Sequence, residues 1–295
     1  MNTDMASALF DALRALARVG GGVRVNHARG ILVEGHFRAT RTAMRFCLAG
    51  IFDGAEQRVS ARFSSSGADP HIDQRSPLAE PRGLALRIGN NAALTLVGHS
   101  IEGFPAADPE RFLAMLIAMN ANRPVNVGAT TGRDDCPISA RFEALRQQPA
   151  SSFTTLDYHM LHPYRLIAAD GHVRVGRLSI RAPRSEAGTT TRDGPDCLDK
   201  RLRSELSKGP VVLALQFTPV TGGVDPTDLS VAWDPLLPSV TLGHLWLERV
   251  ALRQGVQRRL VFDPALLPEG IAFAGDPMLY VRLRAYRLAA LQRRR

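Results

Sequence analysis

The sequence predicts an α+β fold, with helices packed around an antiparallel sheet or barrel. Three observations predict it. Helical periodicity marks both ends of the chain, at residues 5–18 and again beyond Asp276. Between them run strand-like segments with β-branched or alternating patterning. One of these, Leu161 to Ala182, folds back on itself at Asp170-Gly171, a two-residue turn signal of antiparallel hairpins. Helices gathered at the ends of a run of strands belong to α+β architecture.

Taken in order, residues 5–18 repeat apolar positions at helical spacing, and Gly20-Gly21-Gly22 ends that helix. Residues 23–39 read as strand or loop, and 41–49 as a short helix. Gln57–Ser64, Gly83–Ile88 and Ala93–Gly98 follow as strands. Asp108-Pro109 starts a helix that runs to about Asn120, because Asp caps free N–H groups and Pro fits the first turn. Residues 123–137 and 183–197 are polar and read as loops, with a short helix over 198–207. Val211–Phe217 and Thr241–Leu252 are strands, joined by a Pro-rich connection that holds Trp233. No internal repeat or low-complexity linker divides residues 1–295, so a single domain is expected.

Composition narrows the function classes. A net charge of +9 and a pI near 10.4 raise nucleic acid or an anionic membrane as partners. Of the 37 basic residues, however, all but Lys200 and Lys208 are Arg, spread along the whole chain without a recognition motif. That reads as a preference for Arg over Lys, and no nucleic-acid partner is expected. Cys47, Cys136 and Cys197 are odd in number and unpaired in spacing, so neither a disulfide framework nor a zinc site is indicated. No run of 18 apolar residues is present, and the N-terminus carries Asp4 and Asp11 rather than a secretory pattern. A cytoplasmic protein without a membrane span is expected.

The stretch with the most chemical content is the last helix, read as starting at Asp276-Pro277. At about 100° per residue, Arg282, Tyr286 and Arg293 fall on one narrow face. A cation beside a phenol favours the phenolate, and a phenolate is a hard anionic ligand for ferric iron. By itself the pattern also suits a basic tail that carries one aromatic.

Two further segments bear on that choice: Arg24-Val25-Asn26-His27-Ala28-Arg29-Gly30, and Arg62-Phe63-Ser64-Ser65 followed by Arg82-Gly83-Leu84. With Asp276, Arg282, Tyr286 and Arg293 they resemble, in the same order and over residues 23 to 293, the haem catalase superfamily, and in particular its short catalase-related peroxidase branch. The resemblance implies a catalase-like antiparallel β-barrel with a C-terminal helix that supplies the haem ligand. Tyr ligation of haem iron is the arrangement known in catalases. It places Tyr286 as ligand to the iron of haem b, Arg282 as the cation that holds it as phenolate, and Asp276 as the group orienting Arg282. His162, in His162-Pro163-Tyr164-Arg165, matches a His that supports this side of the haem. Arg24, Arg62 and Arg293 match clamps on the haem propionates, where bidentate guanidinium pairing suits carboxylates.

On the other side of the haem, His27 matches the essential His that takes a proton from a bound hydroperoxide and returns it to the departing oxygen. Ser64 matches a hydroxyl that fixes the tautomer of that ring. Phe104 and Phe112 match phenylalanines lining the haem. The sequence departs from the family where an Asn is expected: His99 stands there, and Glu102 replaces a Pro shortly after. A His at that place changes charge near pH 6.5 unless its surroundings shift it. The chain ends two residues after Arg293, without the long C-terminal region of catalases. That implies a more open haem channel, weaker tetramer contacts and a possible homodimer.

The reading is therefore a haem-dependent peroxidase that reduces hydrogen peroxide or organic hydroperoxides with an organic or protein electron donor, and has at most weak catalase activity. Two alternatives stay open: haem-based rearrangement of a fatty-acid hydroperoxide, and a degenerate haem-binding module without turnover.

Overall fold

In the computed structural model of the chain, which describes residues 2–17, 22–90, 93–123, 137–183, 193–222, 225–234 and 236–293, two four-stranded meanders join into a barrel. The first comprises β1 (Gly30–Ala39), β2 (Gln57–Ser64), β3 (Gly83–Ile88) and β4 (Leu94–His99). The second comprises β5 (Tyr158–Ile167), β6 (Val173–Arg181), β7 (Val211–Pro219) and β8 (Val240–Val250). Hydrogen bonds run in the order β4-β3-β2-β1-β8-β7-β6-β5, and every neighbouring pair is antiparallel. The pair His99↔His159 closes the ring between β4 and β5. A short β9 (Ile271–Phe273) lies along β5. The expected antiparallel barrel is therefore the observed core.

Alternation within the strands decides what the barrel holds. Val59, Ala61 and Phe63 of β2, Leu84, Leu86 and Ile88 of β3, and Leu94 and Leu96 of β4 point inward. They pack with Phe37, Tyr158, Leu178, Leu215 and Leu245 from the other strands into one apolar core. Each fully buried Leu or Phe contributes about 1.5–3 kcal/mol by leaving water. The intervening residues, Arg62, Ser64, Ala85, Val97 and His99, are left on the outer surface of β2–β4.

Helices cover that outer surface. Helix α1 (Asn2–Ala17) packs through Ala6 and Leu9 against Leu116 of α3 (Pro109–Asn120) and Val281 of α6 (Leu279–Gln292). Asp108 caps α3 by accepting from the Arg111 N–H at 2.8 Å, with Pro109 in the first turn, as its sequence predicts. Helix α5 (Cys197–Lys208) buries Leu198, Leu202 and Leu206 at four-residue spacing against the barrel. Two shorter helices, α2 (Arg41–Phe46) and α4 (Pro137–Gln147), complete the set among the described residues. Residues 124–136, including Cys136, and 184–192 lie outside the described residues, and with them most of the loops expected over 123–137 and 183–197.

Two expectations need correction, and two elements come in addition. The helix expected over 41–49 stops at Phe46, where the Cys47 N–H still bonds the Ala43 carbonyl before the chain turns extended. Helix α4 and strand β9 are unforeseen. The last helix begins at Leu279, because Asp276 caps a tight turn by accepting from the Met278 N–H at 3.0 Å. No described helix is long and apolar enough to cross a membrane.

Candidate functional site

Antiparallel register builds one wall of the site. Ser64 on β2 faces Gly83 on β3, which faces His99 on β4. One row further along, Arg62 faces Ala85, which faces Val97. Directly opposed residues share a face of the sheet, so Arg62, Ser64 and His99 converge on the outer surface beneath α1, α3 and α6. The space between wall and helices is a cavity of about 250 Å³. Arg24, His27, Phe104, Phe112, His162, Arg282, Tyr286 and Arg293 line it together with Arg62, Ser64 and His99. Residues separated by up to 269 positions in sequence thus meet in one place. Asp276 does not line it.

His27 reaches the cavity through a strained loop. Its backbone sits in the left-handed region at φ 53°. Asn26 Oδ1 accepts from the His27 N–H at 2.9 Å and from the Gly67 N–H at 2.8 Å, which fixes that turn. The imidazole lies over Gly83, where a Cβ would stand 2.8 Å from His27 Nδ1 and Cε1 and 2.7 Å from Ser64 Oγ. Glycine at 83 is what lets the ring approach the sheet. His27 Nδ1 lies 3.1 Å from Ser64 Oγ, and that hydroxyl donates to the Gly83 carbonyl at 3.3 Å. With its hydrogen so used, Ser64 accepts from Nδ1–H, and Nε2 of His27 keeps a free lone pair.

Enclosure keeps both histidines of this wall neutral. Desolvation pushes the His27 pKa well down, and His99, Arg62, Arg24 and Arg282 push it further. The same desolvation, helped by Arg282 and His162, pushes His99 down to about 3. The surroundings therefore remove the charge change near pH 6.5 that an isolated His99 would undergo. The two rings lie 5.2 Å apart between centroids.

Helix α6 supplies the other wall. Arg282, Tyr286, Ala289 and Arg293 recur on the face turned to the cavity. The Arg282 guanidinium lies 5.5 Å from the Tyr286 ring centre and donates a long hydrogen bond, 3.5 Å, to the phenol oxygen. It also reaches the Val97 carbonyl at 3.4 Å. The expected contact between Asp276 and Arg282 is not made. Asp276 instead accepts from His162 Nδ1 at 2.7 Å, both groups being buried. That bond leaves His162 Nε2 on the cavity side, buried and without a hydrogen-bond partner.

Besides Arg282, the guanidiniums of Arg24, Arg62 and Arg293 gather in the cavity lining. Burial, with Arg293 nearby, lowers the Arg24 pKa to about 10. Burial, with Arg24 and Arg293 nearby, lowers Arg62 to about 9. Arg24 spends two donors on the Gln257 and Leu260 carbonyls, at 2.9 and 2.8 Å. Arg62 is committed to the protein: it donates to the His27 and Ala28 carbonyls, each at 3.0 Å, and to Gln257 Oε1 at 2.8 Å. Arg62 thus braces the His27 loop instead of standing free as a clamp. Like charges held this close in a desolvated space fit an anionic guest.

Sequence reasoning missed Asn26 and Gln257, which hold His27 and Arg62, and Leu9, Phe10 and Leu13 of α1, which line the cavity. Asn26 stood beside His27 and was the one signal available. Phe104 and Phe112 pair edge-to-face at 4.8 Å on the apolar side.

No family model matches the chain. A catalase-related peroxidase of Mycolicibacterium paratuberculosis is 29% identical over 288 residues, covering 94% of this chain and 91% of that one. A catalase-related peroxidase of Synechococcus elongatus is 24% identical, covering 97% and 88%. Among solved structures, a fungal catalase superposes with a TM-score of 0.78 at 19% identity. Catalase A of Saccharomyces cerevisiae superposes with 0.74, also at 19%. The chain spans 62% and 64% of the length of those two catalases.

Proposed function

We propose that the chain belongs to the short catalase-related branch of the catalase superfamily, which its similarity to two catalase-related peroxidases supports, and that it is a haem-dependent peroxidase reducing hydrogen peroxide or organic hydroperoxides. The observation that carries this reading is the meeting of Arg24, His27, Arg62, Arg282, Tyr286 and Arg293, from three distant segments, around one cavity.

The lining suits haem b. Apolar side chains such as Phe104, Phe112 and Val281 match a flat macrocycle, and the guanidinium cluster matches its propionates. Arg24 and Arg293 are the clamps in this reading. Tyr286 would hold the iron through its phenol oxygen, which the Arg282 guanidinium reaches at 3.5 Å. His162, with Nδ1 held by Asp276, presents its buried Nε2 beside that pair. When bound, haem supplies the iron chemistry that cleaves the O–O bond and stores oxidising equivalents.

The protein's own part is proton handling. Neutral His27, its Nδ1–H given to Ser64, accepts the hydroperoxide proton at Nε2 and hands it to the departing oxygen. His99, also neutral, hydrogen-bonds the substrate beside His27. Arg62 holds the loop that aims His27.

The test is peroxide-dependent oxidation of a phenolic donor by the haem-loaded protein, beside a His27→Gln variant. The reading requires turnover in the first and a loss of about 10²–10⁴-fold in the second. Rearranged hydroperoxide formed without any donor would favour the oxide-synthase-like alternative.

A further inference from the structure

Reducing a hydroperoxide to alcohol and water takes up two electrons and two protons, ROOH + 2e⁻ + 2H⁺ → ROH + H2O. His27 only moves the proton that the hydroperoxide brings. When the donor delivers electrons alone, both added protons must enter through the protein. That demand for protons rests on the peroxidase reading.

A second niche lies beside His159, the register partner of His99. It holds about 10 Å³, room for one water. Arg177 Nε, Ser179 Oγ and Trp233 Nε1 on its wall are all buried without a hydrogen-bond partner. Three orphaned polar atoms around one void are the usual signature of a bound water. His159 lines this niche and His99 lines the large cavity, yet the two are register partners in the pair that closes the barrel.

Glu102, also on the niche wall, faces both ways. Its Oε1 lies 3.9 Å from His159 Nδ1, and its Oε2 lies 3.9 Å from the guanidinium of Arg141, a half-buried residue of α4. Glu102 and His159 thus line the niche, while His99 and His27, their ring centroids 5.2 Å apart, line the large cavity.

We propose that Glu102, His159 and the water of this niche form a proton-entry site that resupplies the His99–His27 pair during peroxide turnover.

The electrostatics suit carriage of protons. Burial raises the Glu102 pKa against the pull of Arg177 and Arg181 on β6 and Arg141 on α4, and against a hydrogen bond from the Trp233 backbone. Burial lowers His159 to about 3, with Arg181, Arg141 and Arg177 adding to the effect and Asp157 opposing it. Asp157 is itself bound to Arg181 at 2.8 Å. A carboxyl that protonates readily next to an imidazole that stays neutral is a donor beside a relay: the ring takes a proton on one nitrogen and releases another from the second.

The experiment uses the haem-loaded full chain, as wild type, Glu102→Gln and Glu102→Asp, with hydrogen peroxide and two donors. Ferrocyanide delivers electrons without protons, whereas hydroquinone delivers both. With ferrocyanide, Glu102→Gln is expected to lower kcat at least tenfold, with unchanged peroxide KM and thermal midpoint, while Glu102→Asp restores most of it. With hydroquinone the loss should shrink to within threefold. Infrared difference spectra taken on acidification should contain a protonated-carboxyl band that Glu102→Gln removes. An active wild type with an indifferent Glu102→Gln, or an equal loss with both donors, overturns the entry site alone. A wild type that oxidises neither donor overturns the peroxidase reading and the entry site with it.

Discussion

Replacing Gly83 with Ala should disable the proton-handling side of the cavity while leaving the fold intact. The new methyl carbon would stand 2.8 Å from two atoms of the His27 ring and 2.7 Å from Ser64 Oγ. Comfortable contact between such atoms begins near ~3.5 Å, so something must retreat by roughly 0.7 Å. Residue 83 is hydrogen-bonded into β3 between Ser64 on β2 and His99 on β4, and the sheet does not yield easily. The His27 loop moves instead. A misplacement of that size in a group that transfers a proton costs about 10²-fold in rate, whereas overpacking costs about 1–3 kcal/mol of stability. The assay is kcat/KM for peroxide-dependent donor oxidation by the haem-loaded variant, together with haem content and thermal midpoint. The expected result is a hundredfold loss in kcat/KM, full haem content, and a midpoint lowered by a few degrees. A kcat/KM within twofold of wild type would refute the placement of His27 over Gly83.

Other perturbations probe separate parts of the site. Asp276→Ala removes the buried acceptor of His162 Nδ1 and the cap on the Met278 N–H, so urea denaturation should register a loss of about 3 kcal/mol. Arg62→Lys gives up the forked bonds to the His27 and Ala28 carbonyls, and should lower kcat/KM at least tenfold, with the stability loss held to about 1–3 kcal/mol. His99 and His159 hold pKa values of about 3 in the fold, against about 6.5 when unfolded. Between those values the unfolded chain binds more protons, so stability rises with pH across the window. The thermal midpoint should be flat above pH 7 and fall from pH 6 to pH 4, each histidine removing about 1.4 kcal/mol per pH unit. A midpoint that rises on acidification through that range would contradict their burial as neutral rings.

Strand alternation made the barrel legible in the sequence, because β2, β3 and β4 each place apolar residues on one face and Arg62, Ser64 and His99 on the other. Caps made α3 legible for the same local reason. The last helix was misjudged at its start because Asp-Pro serves equally well in a turn, and only packing chooses between the two. The residues that line the cavity were named through their resemblance to a family, while their supports were not. Gln257 bracing Arg62, Asn26 fixing the His27 turn, and Gly83 making room for the ring all depend on contacts between distant segments. Asp276 was assigned to Arg282, its neighbour on the chain, and turned out to serve His162, which is 114 residues away. Sequence spacing reports partners on one helix well. It does not report partners on different elements.

The central claim is that this cavity holds haem through Tyr286. Absorption spectra of the purified, haem-supplied protein and of Tyr286→Phe test it most directly. The wild type should show a Soret band with the charge-transfer features of ferric iron bound to a phenolate, and the variant should lose those features. A wild type without a Soret band, or a Tyr286→Phe spectrum that matches it, would contradict the claim.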